Sequence, residues 1–254
     1  MTGFSFDNNR ATADSVRLPM MSLREVVMFP RSIAPLFVGR EASIKAIEQA
    51  VAAHDKKIFL VAQRSPETEK PEAEDLFDMG TVSKILQMLR LPDGTIKVLF
   101  EGLYRAEWDA DSLAAGEDAE YSMVTVRRVP EEETHGPESD ALIRATQEAL
   151  EQYGRINKKL APETILAINS ITAPGRLADA VMPHLKVDYI KKQGVLEELD
   201  PTRRLEETYA YLQSEIEISS IEKRIKNRVK QQMEKNQKEY YLNEQIKAIN
   251  KEMG

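Results

Sequence analysis

Cysteine is absent from the 254 residues, which excludes disulfides, thiolate nucleophiles and Cys-based zinc sites and fits a reducing compartment. No apolar run approaches the ~20 residues needed to span a bilayer, and no basic start is followed by an apolar stretch at the N-terminus. The chain therefore reads as soluble and cytoplasmic. No Gly-Lys dipeptide occurs, so a phosphate-cradling P-loop is missing. His54, His135 and His184 lie far apart without HExxH spacing, and surface or packing roles suit them better than a metal site. Ser83 and Lys84 are neighbours on a strand and point to opposite faces, so they make no nucleophile and base. Nothing in the chain carries a reaction.

Glycine and proline are also missing from Thr202 to Met253, a stretch dense in Glu, Lys, Arg and Gln. Asp200 supplies an N-cap acceptor and Pro201 suits the first turn, so one long helix is predicted over 200–254. About fifty residues at 1.5 Å each give a rod of roughly 75 Å, too long to be packed wholly on its own core. Its apolar residues fall in three runs. Leu205, Tyr209, Leu212 and Ile216 form the first; Ile218, Ile221, Ile225, Val229 and Met233 the second; Leu242, Ile246, Ile249 and Met253 the third. The phase shifts at Ser219-Ser220 and again at Glu234 to Glu239, which predicts segments with different partners rather than one uniform coiled coil. The second run is the candidate seam for oligomer or substrate contacts, with packing on the chain's own helices as the competing reading.

Formal charge is −7, but eleven Lys/Arg against nine Asp/Glu lie between Arg203 and Met253. The rod is slightly basic on an otherwise acidic protein. Lys223, Arg224, Lys226, Arg228 and Lys230 are the one dense basic cluster; they wind around the helix, so a solvated or intersubunit face is favoured over a nucleic-acid surface.

Ahead of the rod, the pattern divides. Residues 1–15 have little to bury and predict a disordered tail that could dock only through Phe4 and Phe6. Residues 16–130 are β-rich: Val16 to Leu23, Val26 to Phe29, Lys57 to Ala62, Thr81 to Leu91, Thr95 to Phe100, Leu103 to Trp108 and Tyr121 to Val129 read as strands, with a helix near Ala42 to Ala53. Pro92-Asp93-Gly94 is a hairpin turn in which Gly94 supplies a positive φ. One helix among many short strands points to a compact barrel or pseudobarrel. Residues 131–199 are helical, with helices near Glu138 to Lys158, Pro162 to Asn169, Arg176 to Leu185 and Asp188 to Leu199. The fold class is α+β: a β pseudobarrel, a small helical bundle and one long C-terminal helix.

Four strings in order resemble a known family. They are Leu23-Arg24-Glu25-Val26-Val27-Met28-Phe29-Pro30, Pro35-Leu36-Phe37-Val38-Gly39-Arg40-Glu41, Leu86 to Thr95 around the hairpin, and Glu239-Tyr240-Tyr241-Leu242-Asn243-Glu244-Gln245. Together they look like the N-terminal region of bacterial Lon, an ATP-dependent serine protease. The resemblance implies that the β domain is PUA-like and that the long helix leads toward an ATPase ring. It also implies that the P-loop and the Ser-Lys catalytic pair lie beyond residue 254, so the chain is a non-catalytic fragment without a cofactor, ATP and Mg belonging to the longer enzyme. In that family this region selects unfolded or damaged protein substrates and helps homohexamers assemble. Candidate substrate contacts are Met28, Phe29, Pro30, Pro35, Leu36 and Phe37, which form either an exposed apolar patch or barrel core. The alternatives are a spacer that only sets ring geometry, and a nucleic-acid-binding module.

Overall fold

A computed structural model describes residues 15–115, 120–132, 136–157 and 160–254. The expected tail lies outside these residues apart from Ser15, as do Phe4, Phe6, His135 and Lys158.

The first half is one mixed sheet curled on itself. Its strands are β1 (Ser15–Leu23), β2 (Ile33–Val38), β3 (Lys57–Ala62), β4 (Met79–Arg90), β5 (Ile96–Trp108), β6 (Ala114–Ala115) and β7 (Ser122–Arg128), with helix α1 (Glu41–Ala53) between β2 and β3. The order is β2-β5-β4-β3-β1-β7-β6, and a further β5–β7 pairing closes a barrel. Among the described residues only β1 and β3 are parallel, because the α1 crossover sits between β2 and β3 while most other connections are short. α1 packs on β1 and β3, bringing Ala46, Ile47 and Ala50 into one core cluster with Met21, Leu23, Ile58 and Leu60. Gly94 takes φ 86° in the β4–β5 turn. There the Asp93 carboxylate accepts from the hydroxyl and backbone N–H of Thr95 at 2.7 and 3.0 Å. These two bonds hold its pKa below the ordinary carboxylate value.

Two strand expectations are corrected. Val26 to Phe29 is irregular backbone, because it crosses under the sheet: the Thr81 hydroxyl donates to Met28 O at 2.6 Å, and a Cβ on Gly102 would stand 2.1 Å from Phe29 O. Thr95 to Phe100 and Leu103 to Trp108 are one strand, β5, since Gly102 lets the strand run past Phe29 without a break.

The second half holds α2 (Pro137–Ile156), α3 (Pro162–Asn169), α4 (Pro174–Val181), α5 (Tyr189–Glu197) and α6 (Pro201–Glu252). Proline opens four of these five, as its fixed φ favours. Asp200 Oδ1 accepts from the N–H groups of Thr202 and Arg203 at 2.9 and 3.1 Å, capping α6. The core of this half joins Leu150, Tyr153, Leu177, Val181 and Val195 to Leu205, Leu212 and Ile216, the first apolar run of α6. Phe29 and Met79 of the β half belong to the same cluster.

A buried ionic network ties the halves together. Arg105 on β5 donates through Nη1 to Asp179 Oδ2 on α4 at 2.7 Å, through Nη2 to Asp179 Oδ1, and through Nε to Leu196 O at 2.9 Å. Arg204, in the first turn of α6, donates to Glu131 Oε1 at 2.6 Å and to Glu198 O at 2.8 Å. Two cations and two anions cancel, and most guanidinium donors are satisfied. Buried charges are tolerated on those terms.

Candidate functional site

Strand β2 divides its residues between two surroundings by simple alternation. Ala34, Leu36 and Val38 turn to the core beside Ile96, Val98 and Phe100. Ile33, Pro35 and Phe37 turn outward, and Ile33 and Phe37 are 60% and 68% exposed. Register continues this outer face across the sheet. Phe37 stands opposite Lys97, which stands opposite Leu89; Pro35 stands opposite Leu99, which stands opposite Gln87. Leu89 is exposed as well, and Leu86, at the irregularity between Ile85 and Gln87, adds a further apolar side chain. Lys97 Nζ lies 5.6 Å from the Phe37 ring centroid, placing a charge over part of it. The result is an apolar row on a rigid, hydrogen-bonded three-stranded platform.

The six candidate contacts of the sequence reading thus separate. Pro35, Leu36 and Phe37 lie on β2, with Pro35 and Phe37 at the surface. Met28, Phe29 and Pro30 are buried, Phe29 with no exposed area at all. For these three the exposed-patch expectation is corrected. The segment is pinned under β4 and β5 by Thr81 and Gly102, and its side chains complete the two cores.

Beside the free edge of β2 a groove of about 350 Å³ opens, lined by Met21, Leu23, Val26 and Leu36 and, at one end, by Arg24 and Arg40. Arg40 donates to Ser22 Oγ at 3.1 Å and to Gln63 Oε1 at 2.9 Å. Gln63, itself fully buried, donates to Thr68 O at 2.8 Å, and Arg24 reaches the same carbonyl at 3.4 Å. These positively charged and amide groups come from segments some twenty to forty residues apart. The sequence held no local sign of their convergence.

On α6, the second apolar run is solvent-facing. Ile218, Ile221, Ile225 and Val229 are about half exposed and Met233 is 66% exposed. The reading that packs them on the chain's own helices is corrected, because α6 leaves the bundle after Ile216. The basic residues from Lys223 to Lys230 lie on the same exposed stretch. His54 caps the end of α1 and His184 lies in the turn before α5. Among the described residues no group of three or more His, Asp or Glu is placed to hold a metal ion, and no helix is long and apolar enough to cross a membrane.

Residues 17–214 match the family described as the ATP-dependent protease La (LON) substrate-binding domain. The chain is 66% identical over 243 residues to a Lon protease of Nitratidesulfovibrio vulgaris, covering 95% of this chain and 29% of that protein. It is 46% identical over 246 residues to the Lon protease of Escherichia coli, covering 97% and 31%. The chain thus spans less than a third of the length of these relatives. Among solved structures, the N-terminal domain of a Mycobacterium avium complex Lon protease shares the fold with a TM-score of 0.63 at 23% identity, over 78% of this chain and 98% of that one. The Lon N-terminal domain protein of Xanthomonas campestris matches with a TM-score of 0.52 at 16% identity, over 77% and 98%. With its barrel, helical half and long helix, the chain belongs to the Lon substrate-binding domain family.

Proposed function

We propose that this chain recognises unfolded or damaged protein segments through the outer face of β2, β5 and β4, and that the exposed run of α6 carries self-association. The carrying observation is the row of Ile33, Pro35, Phe37, Leu99 and Leu89 held outward on a rigid sheet. Large apolar side chains left at the surface in a contiguous row mark a binding face. Binding by apolar contact is tolerant of sequence, which suits a reader of exposed cores, and repeated copies would add avidity. In the longer proteins of this family the reading extends to a cytoplasmic homohexameric ATP-dependent serine endopeptidase, whose ATP and Mg would be held outside the residues described.

The experiment combines light-scattering mass with binding of a fluorescent, permanently unfolded protein. It compares the chain with a Phe37→Ser/Leu89→Ser variant and with a version ending at Ser220. A cut near Asp200 would remove Leu205, Leu212 and Ile216 from the core, so the later end point is the informative one. Weakened binding in the double variant with unchanged mass, and reduced mass in the shortened chain with binding retained per protomer, is the expected pair of results. Unfolded protein bound equally well by the double variant would reject the β face as the site. In that case a spacer role for the β half would stand.

A further inference from the structure

The groove beside β2 has an unusual pair of walls. Among the described residues β2 ends the sheet order and pairs only with β5, and no residue of β5 lines the groove, so the groove lies along the free edge of β2. The opposite wall is the end of β1: β7 pairs with Ser15 to Met20 and stops there, so among the described residues Met21 to Leu23 are bonded to β3 on one side and have no strand partner on the other. Two strand edges without partners face each other across a gap.

Which backbone groups of β2 point into that gap follows from its ladder. Gly102 N–H donates to Ser32 O at 2.9 Å, and in an antiparallel pair bonded and non-bonded positions alternate. Ala34, Leu36 and Val38 therefore bond to β5, while Ile33, Pro35 and Phe37 aim their main chain at the free edge. Pro35, with no N–H to give, falls at an outward position, as edge prolines do. The free edge thus offers the N–H groups of Ile33 and Phe37 and the carbonyls of Ile33, Pro35 and Phe37.

The lining states what would fit. Met21, Leu23, Val26 and Leu36 make the floor apolar. At one end the Arg24 and Arg40 guanidiniums converge on the Gln63–Thr68 spot, and among the described residues neither has a carboxylate within salt-bridge distance. Two like charges brought together without an acid select a carboxylate on the occupant. Strand spacing, rise and sheet stacking assign roughly 160 Å³ to a strand residue, so 350 Å³ encloses about two residues of an extended chain.

We infer that the gap between β2 and the end of β1 captures an extended peptide segment by strand addition, with an apolar side chain on Leu23, Val26 and Leu36 and a carboxylate on Arg24 and Arg40. The inference rests on the proposed reading of the β half as the part that grips unfolded chains. It adds a mode and a preference: main-chain bonds to β2, and apolar residues next to an acidic side chain within the segment.

The test uses the full chain and labelled octapeptides alternating Val or Leu with Thr. One carries an internal Glu and an amidated end, one has Gln in its place, and one has Gln with a free C-terminal carboxylate. Anisotropy is expected to show the Glu peptide binding about tenfold more tightly than the amidated Gln peptide. That gap should close in Arg24→Gln, whose exposed side chain leaves folding unaffected. The third peptide should bind no better than the amidated Gln peptide; binding as tight as the Glu peptide would overturn the side-chain source in favour of a chain end. Amide exchange at Phe37 should slow about tenfold on saturation, while Leu36, already bonded in the ladder, stays unchanged. Equal binding of Glu and amidated Gln peptides would overturn the carboxylate preference. Tight binding with unchanged exchange at Phe37 would overturn strand addition while leaving the apolar face in place. Unfolded protein bound without any peptide bound would remove the gap as a site, and loss of both would remove the proposed reading with it.

Discussion

Replacing Asp179 with Asn should be among the most damaging single changes to this protein. The Asp179 side chain is 4% exposed, that of Arg105 3% and that of Arg204 1%. Asparagine keeps the shape and one acceptor oxygen but removes the charge and puts an NH2 against the guanidinium, so Arg105 is left buried with Glu131 at 3.8 Å as its remaining anion. Breaking one partner out of a buried pair costs about 3–5 kcal/mol, a large part of the 5–15 kcal/mol or so that holds a typical domain. Urea unfolding followed by circular dichroism, with midpoint and slope fitted separately, reads that loss. The double replacement Arg105→Met/Asp179→Leu discriminates the cause. Removing both charges deletes the desolvation cost along with the attraction, so the double variant should recover most of the loss, with a coupling of about 2 kcal/mol or more. A cost under about 1 kcal/mol for Asp179→Asn, or strictly additive effects of the two sites, would refute the network as the tie between the halves.

Other consequences follow from single contacts. Gly102→Ala would place a methyl 2.1 Å from Phe29 O and 3.2 Å from Pro30 Cα, both backbone atoms that cannot swing away; a loss of about 1–3 kcal/mol is expected in the same unfolding assay. Ending the chain at Ser220 removes only exposed residues of α6, so the melting temperature of the remainder should not move; a fall would show that the distal helix packs on the body. Burial, helped by the Lys192 charge, holds the His184 imidazole below its ordinary 6.5. The unfolded chain then takes up that proton first, so the His184 contribution is complete above pH 6.5 and is lost as pH falls from there toward the folded value. In His184→Gln the stability profile should flatten within that window.

What could be read from the sequence was local. Pro92-Asp93-Gly94 dictates its own turn, and Asp200-Pro201 its own helix start, because the groups that satisfy the backbone lie within three residues. Near the shift of phase at Ser219-Ser220 the helix leaves the bundle: Ile216 is buried and Ile218 is about half exposed. Val26 to Phe29 misled because four apolar residues fit a strand as well as a buried crossing, and the deciding contacts, Thr81 and Gly102, lie some fifty and seventy residues away. The same distance hid the site. Met28 to Pro30 and Pro35 to Phe37 look alike in composition, yet one segment is core and the other edge. Arg105 and Asp179 stood out from nothing around them, with Glu107 two residues from the one and Arg176 three from the other.

Strand β5 joins these features mechanically. Its first half pairs with β2, the strand whose outer face and free edge form the candidate site, and its second half carries Arg105 into the ionic network. Across that network stands Arg204, in the first turn of a helix whose exposed part, from Ile218 to Glu252, runs for about 50 Å. Apolar packing alone would let two bodies slide over each other by small steps at low cost. A fork of short charge-assisted bonds does not, since a shift of an ångström breaks them and strands buried charges. The direction of α6 is therefore set against the outer face of β2 by four side chains, Arg105, Glu131, Asp179 and Arg204. If α6 packs with copies of itself, as proposed, each copy's β2 edge is held in a fixed orientation around the assembly. That is the geometry in which weak grips on one unfolded chain add together.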